Sequence, residues 1–282
     1  MSSTNVVLLG AIAGFTIFLG LPIGRLRNLS SETRAFLNAV ATGVLIFLLI
    51  EVFQHGIEPV EKALTAASRT SHGSWVHFLW LTVLFVVLFG VGLLGLVYYD
   101  RWLAARAQGR RFGPGAATAQ ELSRLSIARL SDPKRLALFI ALGIGLHNFS
   151  EGLAIGQSAA NNEIKLALLL IVGFGLHNAT EGFGICAPLS GEADRPSWAF
   201  LATMGVIGGG PTFVGTIVGQ AWVSETLDTA FLALAAGSIL YVVVQLLNVG
   251  AKLGHKEQLM WGLLFGIVIG FGTDFVLVAA GA

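Results

Sequence analysis

The stretch LALFIALGIGLHNFSEGLAIGQ at residues 136–157 is followed six residues later by IKLALLLIVGFGLHNATEGFGICAPL at residues 164–189. Each stretch provides the roughly 20 mainly apolar residues that an α-helix needs to cross the hydrocarbon core of a bilayer. Each also contains the same polar motif, His-Asn-x-x-Glu-Gly, in its interior. The pair therefore predicts two consecutive transmembrane helices that hold polar and charged side chains inside the membrane.

Apolar stretches of similar length occur along the whole chain. Of its 282 residues, 55% are hydrophobic and only 12% are charged, whereas an ordinary soluble domain is about one-quarter charged. The predicted spans are residues 6–21, 36–54, 76–99, 136–157, 164–189, 198–223, 227–249 and 259–280. We therefore predict an all-α integral membrane protein of about eight transmembrane helices, in which residues 1–282 form a single transmembrane domain.

The basic residues are distributed unevenly between the two sides of this topology. Of the 17 lysines and arginines, only Lys62, Arg69 and Lys165 fall at the loops of one side. The positive-inside rule assigns the other side, which includes a long third loop at about residues 100–135, to the cytoplasm. Both termini would then face outside, and the expected location is the bacterial inner (plasma) membrane, in contact with lipid. The net charge of +1 gives no indication of nucleic-acid binding.

The spacing within each motif places three polar side chains on one face of its helix. The histidine stands four residues before the glutamate and the asparagine three, and both intervals bring side chains together on a helix. Because the two helices are consecutive, they run antiparallel and their polar faces can oppose each other. The candidate metal ligands are His147, Asn148, Glu151, His177, Asn178 and Glu181.

Two carboxylates at membrane depth are costly unless a partner neutralises them. A divalent cation would neutralise both, and imidazole, carboxylate and amide ligands without a thiolate suit zinc, iron(II), manganese or cadmium. The alternative is that the histidines and asparagines only form hydrogen bonds across the helix contact while the glutamates are protonated. The presence of two matched copies favours the metal site.

Two further polar groups occur in or beside the predicted spans. Glu51 and His55 repeat the four-residue spacing near the outer end of the second span, and they predict a site through which a metal ion would reach the six ligands. Solvation at the membrane interface explains His55 equally well. Asp274 in the last span is another intramembrane acid, which could pair with a polar neighbour or take part in proton movement.

At the two motifs the chain resembles the Zrt/Irt-like, or ZIP, family of divalent metal transporters. The resemblance implies a ZIP-like bundle with the metal site between helices 4 and 5 and the six motif residues as ligands. By position it also implies Gln245 and Asn248 of the seventh span as neutral ligands, where the family often has acids. The chain departs from the family at Ser150 and Thr180, where a proline usually precedes the motif glutamate.

The residues and the resemblance together indicate a transporter rather than an enzyme. We expect uptake of a divalent transition-metal cation, with zinc first and iron, manganese or cadmium as alternatives, and with the metal as cargo rather than as a cofactor. The resemblance further implies that the two motif helices slide or rock against the rest of the bundle. The alternative function is an intramembrane metalloenzyme using the same His/Glu site, although the chain has no H-E-x-x-H motif. A homodimer is compatible with the sequence.

Overall fold

The computed structural model describes residues 3–69, 74–109, 130–160, 164–190, 195–221 and 224–280. Regular structure within these ranges is helical, with no strand, which confirms the predicted all-α bundle. Six helical segments of the described chain are long and apolar enough to cross a membrane. The α-helices in these ranges are α1 (Ser3–Phe15), α2 (Ser31–Arg69), α3 (Trp75–Gly109), α4 (Asp132–Ala160), α5 (Ile164–Cys186), α6 (Trp198–Ala221), α7 (Glu225–Leu253) and α8 (Lys256–Ala280).

Two helices extend well beyond their predicted spans. The sequence predicts that the second span ends at residue 54, but α2 continues through Pro59 to Arg69. The added segment is amphipathic, because Val60 and Ala63 are buried in a small apolar core with Phe85 of α3. Helix α3 continues to Gly109, within the predicted third loop. Residues 110–129 of that loop lie outside the described ranges.

Glycines bring two sets of helices into close backbone contact. In the first set, α4 packs on α6 at Gly152, and α5 packs on the turn that follows α1 at Gly182. In the second set, α2 packs on α8 at Gly43, and α3 packs on α7 at Gly92. At each of these positions a Cβ atom would overlap a backbone carbonyl oxygen of the neighbouring segment, so only glycine permits the approach. The two sets are α1, α4, α5 and α6, and α2, α3, α7 and α8.

The two sets meet through apolar side chains rather than through backbone contacts of this kind. Leu45 and Leu48 of α2 share one core cluster with Ile144 of α4, Ile185 of α5 and Ile239 of α7. All five side chains are almost completely buried. The contact between the sets is therefore a packed apolar surface, and the motif helices α4 and α5 contribute to it from one side.

Basic residues gather where α2, α4, α6 and α8 begin, which we call the basic end. Arg25 lies in the 3-10 helix Leu21–Arg25 that follows α1, and its guanidinium donates to the Pro196 carbonyl and lies over the Trp198 ring. Arg195 in turn donates to the Arg25 carbonyl at 3.2 Å. These contacts fasten the end of α1 to the start of α6. The opposite end, where α3, α5 and α7 begin, is called the far end.

Candidate metal site

The asparagines of the two motifs link four helical segments at the centre of the bundle. Asn148 is fully buried, and three acceptors lie within 3.0 Å of its Nδ2 atom: Asn178 Oδ1, Glu181 Oε2 and the Gly208 carbonyl oxygen of α6. Asn178 Nδ2 donates to the Ala13 carbonyl of α1 at 3.1 Å. The asparagine amide groups therefore do form hydrogen bonds across the helix contact. The Asn148 Oδ1 atom remains buried without a hydrogen bond, so it is available as an oxygen ligand.

His147 and Glu151 form a buried pair one turn apart on α4. His147 Nε2 lies 3.3 Å from Glu151 Oε1, whereas Glu151 Oε2 has no hydrogen-bond partner. Glu181 of α5 is completely buried and interacts electrostatically with both of these side chains. Among the described side chains, a single histidine accompanies these two buried carboxylates, and the pair of carboxylates favours an additional positive charge. The side chain of His177, the matching histidine of α5, lies outside the described residues.

Helix α2 brings Glu51 to the same region from the second set of helices. Glu51 is half-buried, and its Oε2 atom is buried without a hydrogen bond. It interacts electrostatically with His147 of α4 and with Asp274 of α8. The polar cluster therefore lies where the two sets of helices meet. The sequence does not predict which residue lies beside Asp274, and in the structure Asp274 interacts with Glu51.

Asp228 of α7 is a residue of this region that sequence reasoning missed. It interacts with Ser150 and His147 of α4 and with His55 of α2. The sequence does contain an indication of this role, because Asp228 is a carboxylate inside the predicted span 227–249. However, Asp228 lies in the first turn of α7, after the N-cap Ser224, where acidic residues are common for reasons of helix stability alone.

Gln245 and Asn248 are not brought to the cluster. Helices α4 and α7 run antiparallel, with Ser238 beside Gly143 and Asp228 beside Ser150. At 1.5 Å per residue, Gln245 lies about 25 Å beyond Asp228 along α7, towards the basic end. Asn248 is exposed. Neither the Gln245 amide nor the Asn248 amide therefore lies beside the motif residues of α4 and α5.

The positions that depart from the ZIP pattern leave the motif helices unbroken. Helix α4 continues through Ser150 and α5 continues through Thr180. The backbone of each motif therefore keeps its helical register, and in α4 the His147 imidazole stands beside the Glu151 carboxylate. Helix α6 also continues through Pro211, and its Gly208 carbonyl faces Asn148.

The described side chains do not include a preformed metal cage. No three histidine, cysteine, aspartate or glutamate side chains among them are close enough together to hold an ion, and His177 is not in that set. Nevertheless, α2, α4 and α5 each direct a glutamate to one region of an apolar bundle, next to the His147 imidazole. This combination defines a class of protein, a multi-pass membrane protein with glutamate and histidine side chains buried between its helices.

Comparison with known proteins identifies the family. The family model described as ZIP Zinc transporter matches residues 113–277, more than half of the chain. The chain is 28% identical over 278 residues to the zinc transporter ZupT of Enterobacter sp. (strain 638), covering 96% of both proteins. It is 27% identical over 281 residues to the ZupT proteins of Shigella dysenteriae serotype 1 and Escherichia coli O7:K1, covering 97% of each. The chain belongs to the ZIP zinc transporter family.

Family membership confirms the resemblance seen at the two motifs. The protein is a multi-pass membrane transporter of divalent metal cations and not an enzyme. The alternative of an intramembrane metalloenzyme therefore has no support. The metal is the substrate that the protein moves.

Replacing Asn148 by alanine is expected to destabilise the bundle. The change removes the Asn148 amide group, which donates from α4 to acceptors on α5 and α6. Buried acceptors that lose their hydrogen-bond donor cost about 1–3 kcal/mol of folding free energy. The midpoint of thermal unfolding in detergent should fall accordingly. Asn248→Ala is the matched control, because Asn248 is exposed and its variant should unfold at the wild-type temperature. Equal midpoints for the two variants would contradict a structural role for Asn148.

Proposed function

We propose that the protein carries zinc across the inner membrane of a bacterium, in the direction of uptake, with iron(II), manganese and cadmium as further substrates. The observation that carries the proposal is the buried Glu151 carboxylate, which has one oxygen without a hydrogen bond in a region with two more glutamates. A divalent cation supplies the charge that this region lacks. Zinc is the first candidate because the similar proteins are named zinc transporters.

The proposed ligands are those that the motif spacing and the described contacts bring together. Glu151, Glu181 and His147 contribute carboxylate and imidazole groups, and His177 joins them from α5 by the motif spacing. The amide oxygens of Asn148 and Asn178 lie beside Glu181. Nitrogen and oxygen ligands of this kind suit zinc, and they also accept iron(II), manganese and cadmium.

The proposed transport step uses the contact between the two sets of helices. Glu51 of α2 interacts with His147 and Glu181 of the other set, so an ion in this region would touch both. The apolar surface between the sets would let α4 and α5 slide or rock relative to α2 and α7. Protonation of a glutamate or a histidine ligand would then weaken binding and promote release.

The proposed orientation places the basic end in the cytoplasm. Arg25, Arg34, Lys134, Lys252 and Lys256 all lie at this end of the described helices, which the positive-inside rule assigns to the inner side. Both termini would then face outside. Digestion of an N-terminal tag only from the cytoplasmic side would contradict this orientation.

The exposed apolar face of α3 is the surface that we propose for lipid or for a homodimer. Val76, Leu79, Trp80, Val83 and Val87 are all more than half exposed, as expected of side chains that face hydrocarbon. The mass of the protein–detergent particle would separate a monomer from a dimer.

The test is metal flux into proteoliposomes that contain the purified protein and a metal-sensitive dye. We expect zinc to enter faster than into protein-free vesicles, and each added competitor among iron(II), manganese and cadmium to slow zinc influx if it shares the path. Tight zinc binding without any flux would refute the transport proposal. Zinc influx that no other metal slows would restrict the substrate to zinc.

A further inference from the structure

His55 is oriented as a metal-ligating histidine usually is. Its Nδ1 atom lies 2.9 Å from the Glu51 carbonyl oxygen. Because a carbonyl oxygen only accepts hydrogen bonds, Nδ1 carries a proton, and in the neutral imidazole Nε2 then has the free lone pair. A hydrogen bond from one ring nitrogen to a carbonyl is the common way in which proteins fix the other nitrogen for a metal. The His55 side chain is exposed, so an ion can reach it from solvent.

Asp228 of α7 lies near His55, because Gly56, the residue after His55, packs on Leu232, one helical turn beyond Asp228. Asp228 and His55 interact electrostatically, and Asp228 interacts in the same way with His147 of the buried cluster. The Asp228 carboxylate is therefore situated between an exposed histidine and a buried one. Helices α2, α4 and α7 converge around it.

Ser150 of α4 completes this group. The residue is 8% exposed, and its hydroxyl forms no hydrogen bond although the Asp228 carboxylate is nearby. A buried hydroxyl without a hydrogen bond is costly, and a bound ion or its water would satisfy it.

Two ion pairs are present at the far end among the described residues. Lys62 pairs with Glu58 at 2.7 Å, and His77 lies 3.6 Å from Glu225. Neither of these ion pairs includes Asp228. Within the described part of the chain, the basic side chains that interact with Asp228 are thus the two histidines.

We propose that His55 Nε2, the Asp228 carboxylate and the Ser150 hydroxyl form an outer binding site for a divalent transition-metal cation. The ion would occupy this site, with water in its remaining positions, before it reaches the buried cluster. Imidazole and carboxylate are the ligands that zinc and its neighbours accept. The order of the two sites rests on the proposed transport function, whereas binding at the outer site does not.

Glu51 provides the connection between the two sites. It stands one helical turn from His55 on α2, about 6 Å along the helix axis, and interacts with both His55 and His147. An ion leaving His55 and Asp228 would meet Glu51 next. With only two strong protein ligands, the outer site would bind weakly and exchange ions quickly, as the first step of transport requires.

The first test measures binding of Co(II), whose visible absorption reports its ligands, to a protein with the buried site disabled. In the Glu151→Gln/Glu181→Gln double variant we expect one remaining equivalent of Co(II), lost when either Asp228→Asn or His55→Gln is added. The matched control is Glu58→Gln, a change of an exposed carboxylate at the same end, which should leave Co(II) binding unchanged. The absence of residual Co(II), or residual Co(II) that neither change removes, would overturn the proposal.

The second test separates ion capture from a role in helix stability. In the otherwise unaltered protein, Asp228→Asn should raise the zinc concentration for half-maximal flux about tenfold and keep the maximal flux within about twofold of wild type. If Asp228 only stabilises the start of α7, the variant would have a lower melting midpoint and unchanged Co(II) binding, and the proposal would fail. If no metal is transported but Co(II) binding still depends on His55 and Asp228, the transport proposal fails and the outer site stands.

Discussion

Glu151→Gln and Glu181→Gln are each expected to lower zinc flux into proteoliposomes at least about a hundredfold, equivalent to roughly 2.7 kcal/mol of lost stabilisation. Both carboxylates are buried, so no exposed charge can substitute for either of them. Glutamine has nearly the same shape but removes the negative charge. It therefore tests charge rather than packing.

The melting midpoints of these two variants should not fall below that of the wild-type protein. In the absence of metal, each buried carboxylate is unfavourable in an apolar bundle, and the neutral amide removes that cost. At position 181 the glutamine oxygen can still accept the hydrogen bond from Asn148. The matched control is Glu257→Gln, an exposed glutamate in the first turn of α8, for which flux should be unchanged. Flux within a few-fold of wild type in both buried variants would exclude this cluster as the transport site.

The centre of the site was predictable because it depends on helical spacing alone. The four-residue interval between His147 and Glu151 specifies that the two side chains share a face, and the structure has them 3.3 Å apart. The antiparallel arrangement of consecutive spans likewise brings Asn148 to Asn178 and Glu181. Periodicity and the short connection between the two spans were sufficient for these contacts.

The contributions of α2 and α7 were less predictable because they depend on how distant helices pack. Glu51 could be proposed from its depth in the second span, but its approach to His147 and Asp274 is a tertiary contact. Asp228 stands at a helix start, where acidic residues are common, so its local sequence gives no indication of the interaction with Ser150. Gln245 was suggested by family position rather than by physical reasoning, and α7 carries it towards the basic end.

The end of α2 was predicted wrongly for a different reason. Hydropathy predicts where apolar residues end, and after residue 54 the sequence becomes mixed. The helix nevertheless continues, because Val60 and Ala63 are spaced to face α3 and α7 while their neighbours face solvent. A window that averages both faces cannot detect an amphipathic extension of this kind.

Gly152→Val is expected to prevent most of the protein from folding. A Cβ at this position would overlap the Thr212 carbonyl oxygen and would approach the Thr216 nitrogen to 2.8 Å. Both are backbone atoms of α6, so no side chain can rotate away and the helices must separate. Overpacking of this kind typically costs about 1–3 kcal/mol or more, and at Gly152 it also opens the contact beside Glu151.

The measurement is the yield of monodisperse protein in detergent together with its melting midpoint. Gly95→Val is the matched control, because Gly95 lies on exposed α3 with no atom within 4 Å of the position of a Cβ. We expect Gly95→Val to fold with a midpoint close to that of wild type, and Gly152→Val to give little folded protein or a much lower midpoint. Since the two variants add the same side chain to a transmembrane helix, their difference isolates the α4–α6 contact from helix propensity. Equal yields and midpoints would mean that α4 and α6 are not in backbone contact at Gly152, and the first set of helices could not then hold Glu151 as a unit.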